Sequence, residues 1–297
     1  MAGTTRTSPD VDGYALAYER AGSGHPVLLL HGWPGDRSDW AAVAGLLAET
    51  GTADVVRPDL RGFGESDKHA GGDLAAGGQA RSVLALLDEL GIGRAVLAGY
   101  DVGSRVAQTL AAEHPDRVAA LVVAPPLPGA GDRVLAPEAA REFWYQHFHR
   151  LELAEQLIDG RPDAVRAHLR HFWDHWSGPG FTVEEERLSR LTEHYALPGA
   201  FVASIGWYRS GSGMIARSLA EQPPAARIAG PTTVLWPEHD PLFPRAWSDR
   251  LDEWFERVDL RPLDGVGHFS PVEAPEGWAA VLGEVLPGGG AAEGVRG

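Results

Sequence analysis

From Tyr14 to Val123 the apolar positions follow two rhythms in turn, and the switching between them outlines an architecture. Tyr14 to Glu19 alternates apolar and polar residues, the pattern of a half-buried strand. Val27-Leu28-Leu29-Leu30 is a short continuous apolar run, as expected of a strand covered on both faces in a parallel sheet. Helical spacing follows from Trp40 to Glu49, with Ser38 or Asp39 as the expected cap. Val55 and Val56 form a short strand ending at Asp59, and Gln79 to Leu90 predicts a helix stopped by Gly91. Ala95 to Ala98 is a further strand, Val102 to Glu113 a helix ending before Pro115, and Val118 to Val123 another buried strand. Strands alternating with helices imply right-handed crossovers and a parallel, doubly wound sheet.

The rhythm breaks after Ala124. Pro125, Pro126 and Pro128 make a stiff hinge, and no strand-like run follows until Pro223-Pro224. The stretch between is helical in pattern and rich in His, Trp, Arg and Glu. Strand signals resume at Thr232 to Trp236 and at Val258 to Leu260, and Trp278 to Leu286 predicts a last helix. The expectation is one α/β core, residues 1–125 and 225–287, carrying a helical insertion over 126–224. Residues 288–297, opening with Gly288-Gly289-Gly290, read as a disordered tail.

Composition narrows the chemistry. At 297 residues the chain suits one large domain or a core with an insertion. It has no cysteine, which excludes disulfides, thiolate nucleophiles and cysteine-bound metal. A formal charge of -15 argues against nucleic acid and anionic membrane surfaces as partners. Lys68 is the one lysine beside many arginines, a bias that points to a GC-rich bacterial coding sequence. The N-terminus is polar and no apolar run approaches the roughly 18 residues of a membrane span, so a cytoplasmic protein is expected. Neither a Gly-x-Gly-x-x-Gly run nor a P-loop occurs, and no cofactor is expected.

Gly99-Tyr100-Asp101-Val102-Gly103 lies between a strand and a helix, the setting of a nucleophile elbow. There a sharp turn lifts one side chain above the sheet edge, and small residues on either side keep the turn free of clashes. The apex here is Asp101, where the usual residue is serine. Alone, a Gly-flanked aspartate is more often a plain turn residue. His31-Gly32-Trp33-Pro34-Gly35 follows the first buried strand and forms a tight turn whose Trp33–Pro34 bond is a candidate for cis. The backbone N–H groups of Trp33 and Val102 are the candidate oxyanion donors. His31 itself reads as structural. Asp240 follows the strand ending at Trp236, and His268 sits in Gly267-His268-Phe269 beyond the last strand signal. Nucleophile, acid and histidine thus come in one order, each on a loop at a strand's carboxyl end.

His31-Gly32-Trp33-Pro34, Asp59-Leu60-Arg61-Gly62-Phe63-Gly64-Glu65-Ser66, the Asp101 elbow and Gly267-His268-Phe269 together resemble the α/β-hydrolase-fold epoxide hydrolases and the related haloalkane and fluoroacetate dehalogenases. The resemblance implies a mostly parallel doubly wound sheet with a helical cap inserted after the sixth core strand. It implies a hydrolase acting on an ether bond, with water as second substrate and no metal. Two cap tyrosines protonate the epoxide oxygen in that family; Trp207-Tyr208-Arg209 is similar to the second tyrosine motif and Trp144-Tyr145-Gln146-His147-Phe148 to the first. Tyr195 matches neither and stays in reserve. Trp144, Trp207, Arg105 and Phe269 are the expected substrate contacts. The cap residues Trp144, Trp173, Trp176, Trp207, Phe143, Phe148, Phe172, Phe181 and Phe201 suggest an apolar or aromatic epoxide, whether biosynthetic or xenobiotic.

The dehalogenase alternative needs other parts. A halide-binding tryptophan follows the nucleophile in haloalkane dehalogenases, where this chain has Val102. Fluoroacetate-type enzymes use two arginines, of which only Arg105 has a counterpart; Trp144 or His147 would then meet the halide. His168, His171 and His175 recur on one face of a predicted helix, a spacing that could bind metal but more simply places solvent-facing or packing histidines. A catalytically dead binding protein would have lost a triad member, and none is lost. The expected assembly is a monomer or homodimer.

Overall fold

The computed structural model describes residues 4–69 and 71–287. Eight strands form one sheet: β1 (Arg6–Thr7), β2 (Ala17–Gly22), β3 (His25–Leu30), β4 (Ala53–Pro58), β5 (Ala95–Gly99), β6 (Val118–Val123), β7 (Thr232–Pro237) and β8 (Val258–Leu263). Their spatial order is β1-β2-β4-β3-β5-β6-β7-β8. β2 is antiparallel to both β1 and β4; from β4 to β8 all neighbours are parallel. The chain leaves β3 towards β4 on one side and returns to β5 on the other. This reversal opens a crevice beyond the carboxyl ends of β3 and β5, where ligands bind in open α/β sheets.

Thirteen α-helices surround the sheet in the described residues. α1 (Ala41–Glu49), α2 (Ala76–Glu89) and α3 (Asp101–Glu113) come first. Between β6 and β7 come α4 (Pro137–Glu142), α5 (Trp144–His149), α6 (Glu152–Ile158), α7 (Pro162–Trp176), α8 (Glu185–Tyr195), α9 (Ala200–Ser204), α10 (Gly206–Arg209) and α11 (Met214–Ala220). α12 (Ser270–Glu273) and α13 (Pro275–Val285) close the chain. The apolar runs sit where their covering dictates: β5 and β7 are buried throughout, while β8, at the sheet edge, is half-exposed.

Two expectations move. The alternation over Tyr14 to Glu19 predicts an early strand there, but β2 starts at Ala17. Its partner sets the register, from Tyr18 opposite Pro58 to Gly22 opposite Asp54, and Tyr14 instead bridges back to Val11. The cap before α1 is neither Ser38 nor Asp39. Asp36 accepts the Ser38 N–H at 2.9 Å and starts a 3-10 turn, Arg37–Trp40, that runs into α1. Residues 288–297, read as a tail, lie outside the described residues.

Helices α7 and α8 fasten the insertion to the turn after β3. α7 buries Val165, Leu169, Phe172, Trp173 and Trp176, a stripe at helical spacing. The Trp173 indole N–H donates to the Pro34 carbonyl at 3.1 Å, and the Tyr195 hydroxyl to the Gly35 carbonyl at 2.9 Å. Arg187 lies 2.9 Å from Asp39, His194 3.3 Å from Asp36, and Arg190 3.7 Å from Asp36. Complete burial pushes the Asp39 carboxyl up to about 6, against the pull of Arg187 and with Asp36 adding to the rise.

Candidate active site

The turn from β5 into α3 carries Asp101 at φ +48°, in a region that residues other than glycine rarely occupy. Its neighbours make room. A side chain on Gly99 would strike the Gly103 carbonyl, and one on Gly103 the Leu30 carbonyl. The Asp101 N–H donates to Pro125 at 3.0 Å and the Gly103 N–H to His31 at 2.9 Å, so the elbow is braced from β3 and from the segment after β6. Val102 follows in the first turn of α3, where backbone N–H groups have no partner within the helix.

The carboxylate of Asp101 is divided between two neighbours. Oδ1 accepts the Trp33 N–H at 2.7 Å, and Oδ2 lies 3.5 Å from Nε2 of His268. The second distance is an ion contact, too long for a good hydrogen bond, and Nε2 has no hydrogen-bond partner. On its other side, His268 Nδ1 lies 2.8 Å from Asp240 Oδ2, while Asp240 Oδ1 accepts the Leu242 N–H at 2.9 Å. A carboxylate only accepts, so Nδ1 carries the proton and Nε2 presents its lone pair when the ring is neutral. Burial alone would depress the His268 pKa. The Asp240 and Asp101 carboxylates outweigh it and push the value up to about 10. Neutralising Asp101 would remove one of those charges and bring the value down, leaving more of the ring in the neutral form that accepts a proton.

Above Asp101 stands a wall of rings. The Trp33 indole stacks on Tyr145 at 5.8 Å and meets Tyr208 edge-on at 5.9 Å; the two tyrosines meet edge-on at 5.4 Å. Both phenols are fully buried, and burial raises both well above the ordinary range, with the Asp101 charge adding to it. Both therefore stay protonated donors at neutral pH. Gln146 donates to the Tyr145 hydroxyl at 3.1 Å. Trp176 lies 5.0 Å from the His268 ring and 5.1 Å from that of Tyr145, and its carbonyl accepts the His268 N–H.

Other expected contacts sit elsewhere. Arg105 was expected to meet substrate, but its guanidinium is engaged by Glu221 at 3.1 Å and by the Leu127 carbonyl at 3.3 Å. It ties α3 to the chain just beyond α11. Trp144 is 42% exposed and stacks on Phe172, on the outer side of the ring wall, and His147 is exposed beside it. Phe269 is buried face to face with Trp173 at 3.7 Å, a packing position. Trp207 is buried in α10 next to Tyr208. Tyr195, held in reserve, commits its hydroxyl to Gly35. His31 is structural: Nδ1 lies 2.9 Å from the Gly32 carbonyl, and Nε2 accepts the Leu60 N–H at 3.0 Å. The three α7 histidines do not converge: His168 pairs with His149, and His175 with Glu142 at 2.7 Å, while His171 stacks beside His175. Trp176, expected among the cap aromatics, lies beside His268, while His149 carries no motif; its one signal in the sequence is that it lies a helical turn beyond Tyr145 and so shares its face.

The α/β hydrolase fold family model matches residues 25–275. The chain is 31% identical over 275 residues to a soluble epoxide hydrolase of Corynebacterium sp. (strain C12), covering 90% of this chain and 91% of that protein. It is also 31% identical to a fluoroacetate dehalogenase of Burkholderia sp, covering 96% of this chain and 94% of that one. The structure of the epoxide hydrolase CorEH without ligand superposes with a TM-score of 0.80 at 28% identity, covering 94% of this chain and 96% of that one. Among the described residues no helix is long and apolar enough to cross a membrane. The chain belongs to the α/β-hydrolase fold family, among the epoxide hydrolases and their dehalogenase relatives.

Proposed function

We propose that the protein is an epoxide hydrolase that opens an apolar or aromatic epoxide to a vicinal diol through a covalent aspartyl ester. The observation that carries this reading is the pair of buried, protonated phenols, Tyr145 and Tyr208, packed on the indole of Trp33, the residue whose backbone N–H grips Asp101. An alkoxide is a poor leaving group unless a donor neutralises it, and two phenols over a carboxylate supply that donor.

In the first half-reaction Asp101 Oδ2 attacks an epoxide carbon, the ring C–O bond breaks, and its electron pair takes a proton from Tyr208, assisted by Tyr145. In the second, His268, oriented by Asp240, removes a proton from water, which attacks the ester carbonyl carbon. The N–H groups of Trp33 and Val102 stabilise the oxyanion, a contribution of about 3 kcal/mol per donor. His268 then protonates the departing diol oxygen, and the carboxyl proton left on Asp101 restores the phenol. A serine nucleophile would form an ether, which water does not reopen. Asp101, Trp33, Val102, His268, Asp240, Tyr208 and Tyr145 make up the proposed machinery. Single turnover in isotopically labelled water tests it: the first diol should carry no label, because its new oxygen comes from the carboxylate. Label in that first diol means direct attack by water.

A second reading, dehalogenation, is favoured by the similarity to the fluoroacetate dehalogenase. Against it stand Arg105, occupied by Glu221, and Trp144 and His147, both exposed on the outer side of the rings. Halide release from haloacids and haloalkanes, assayed beside diol formation from aryl and alkyl epoxides, separates the two.

A further inference from the structure

The insertion holds a second buried imidazole that the covalent mechanism leaves idle. His149, the last residue of α5, is fully buried, and its Nε2 lies 2.9 Å from Nε2 of His168 on α7. Nitrogens at that distance share one hydrogen, so one ring donates and the other accepts. Both rings are held neutral. Burial, reinforced by His168 and Arg209, pushes His149 far down, and burial with His171 brings His168 to about 4. The remaining nitrogen of His149, Nδ1, is buried without a partner, the same condition as Nε2 of His268, the nitrogen proposed to meet water. An unsatisfied buried polar atom is destabilising, so its presence beside the site asks for a partner in the working enzyme.

The surrounding rings give the direction. His149 lies 4.8 Å from Trp33, 5.0 Å from Tyr208 and 5.6 Å from Tyr145. Among the described residues neither tyrosine makes a ring contact with His168, which takes the Nε2 side of the ring. The two phenols therefore pack against a part of the His149 ring that His168 leaves free. With His168 donating into His149 Nε2, the hydrogen of the His149 ring sits on Nδ1.

We propose that His149 is a substrate-recognition residue, its Nδ1–H binding an oxygen substituent on a carbon near the epoxide, with His168 fixing the tautomer. The proposal rests on the epoxide reading and narrows it: the preferred substrate is an epoxide bearing a neighbouring hydroxyl, carbonyl or carboxylate oxygen. A site built to hydrogen-bond such an oxygen discriminates against a substrate that lacks it, because the donor is then left unpaired.

The test is a matched pair, trans-2,3-epoxyhexan-1-ol and trans-2,3-epoxyhexane, turned over by the native protein and by His149→Phe, which keeps an aromatic ring of similar size. The variant should lose about tenfold or more in kcat/KM on the epoxy alcohol and stay within about twofold on the plain epoxide. His149→Gln, whose amide still donates, should keep part of the preference. Equal losses on both substrates would make His149 a packing residue, and no loss on either would remove it from the site; both outcomes overturn the proposal. His149→Leu replaces the phenylalanine variant if that protein fails to fold. A binding arm separates this proposal from the function it rests on. Tryptophan fluorescence reports dissociation constants for hexane-1,2,3-triol and hexane-2,3-diol, neither of which reacts. If the native protein opens neither epoxide, the epoxide reading falls, and the binding arm still decides His149. The ratio of the two constants should shift about fivefold or more on His149→Phe, and an unchanged ratio rejects the recognition role.

Discussion

On the core side of the site, Asp101, Trp33, Asp240 and His268 hang from short turns at strand ends, and each key polar atom has a backbone or carboxylate partner within 3.5 Å. On the opposite side, Tyr145, Tyr208, His149 and Trp176 are held ring against ring, with centroids about 5 Å apart. The first arrangement is set by local backbone geometry, which few residue types can supply. The second is set by mutual packing, which many residue combinations satisfy. Angles between carboxylate, imidazole and backbone N–H are fixed by turns, whereas the positions of the phenols and the rings around them are fixed by packed volume.

Substitutions should divide along the same line. The largest effect is expected on the core side. His268→Gln should still be alkylated at Asp101 but lose about a thousandfold or more in ester hydrolysis, so that intact-protein mass spectrometry shows an added mass equal to the substrate. A variant that neither accumulates adduct nor shows a burst would mean that His268 acts before alkylation. On the ring side, Tyr208→Phe keeps the packing and deletes one donor, and alkylation measured before steady state should slow by about 100-fold. Adding Tyr145→Phe should cost further, by less than the product of the single effects, because both hydroxyls serve one oxygen. An unimpaired rate with the epoxide would take Tyr208 out of the mechanism.

The smallest effect concerns stability and belongs to the core side. His268 is raised in the folded protein from an ordinary value of 6.5 to about 10. A raised imidazole contributes stability that is fully present below pH 6.5 and is lost as pH rises towards 10. Urea unfolding should therefore show a loss of about 2 kcal/mol between pH 7 and 9 that is absent from His268→Gln. Identical pH slopes for the two proteins would mean that the carboxylates do not grip the ring as the geometry implies.

Much of the core half was legible in the sequence because its cues are local. The Gly99 to Gly103 elbow, the turn after β3 and the buried runs of β3, β5 and β6 each follow from a few adjacent residues. What could not be read were relations between distant segments. The start of β2 depends on where β4 ends. Arg105 sits on the elbow helix as its spacing implied, but nothing near it announces Glu221, which occupies the guanidinium. Trp144 and Tyr145 are adjacent in an aromatic run, yet neighbours on a helix point about 100° apart, so one faces the site and the other solvent. The same rule places His149, four residues on, back beside Tyr145.

The grip of α7 and α8 on Pro34 to Asp39 bears on how molecules of this plan acquire new substrates. The stretch that presents the Trp33 N–H is held by side chains from the inserted helices, among them Trp173, Arg187, His194 and Tyr195. A foreign insertion grafted between β6 and β7 would arrive without those partners, leaving Asp36 and Asp39 with only their core-side hydrogen bonds from Ser38 and Tyr100. Transplanting the helices as a cassette would then disturb a hydrogen-bond donor contributed by the recipient's own turn. New specificity in such a chain is more readily reached one ring at a time.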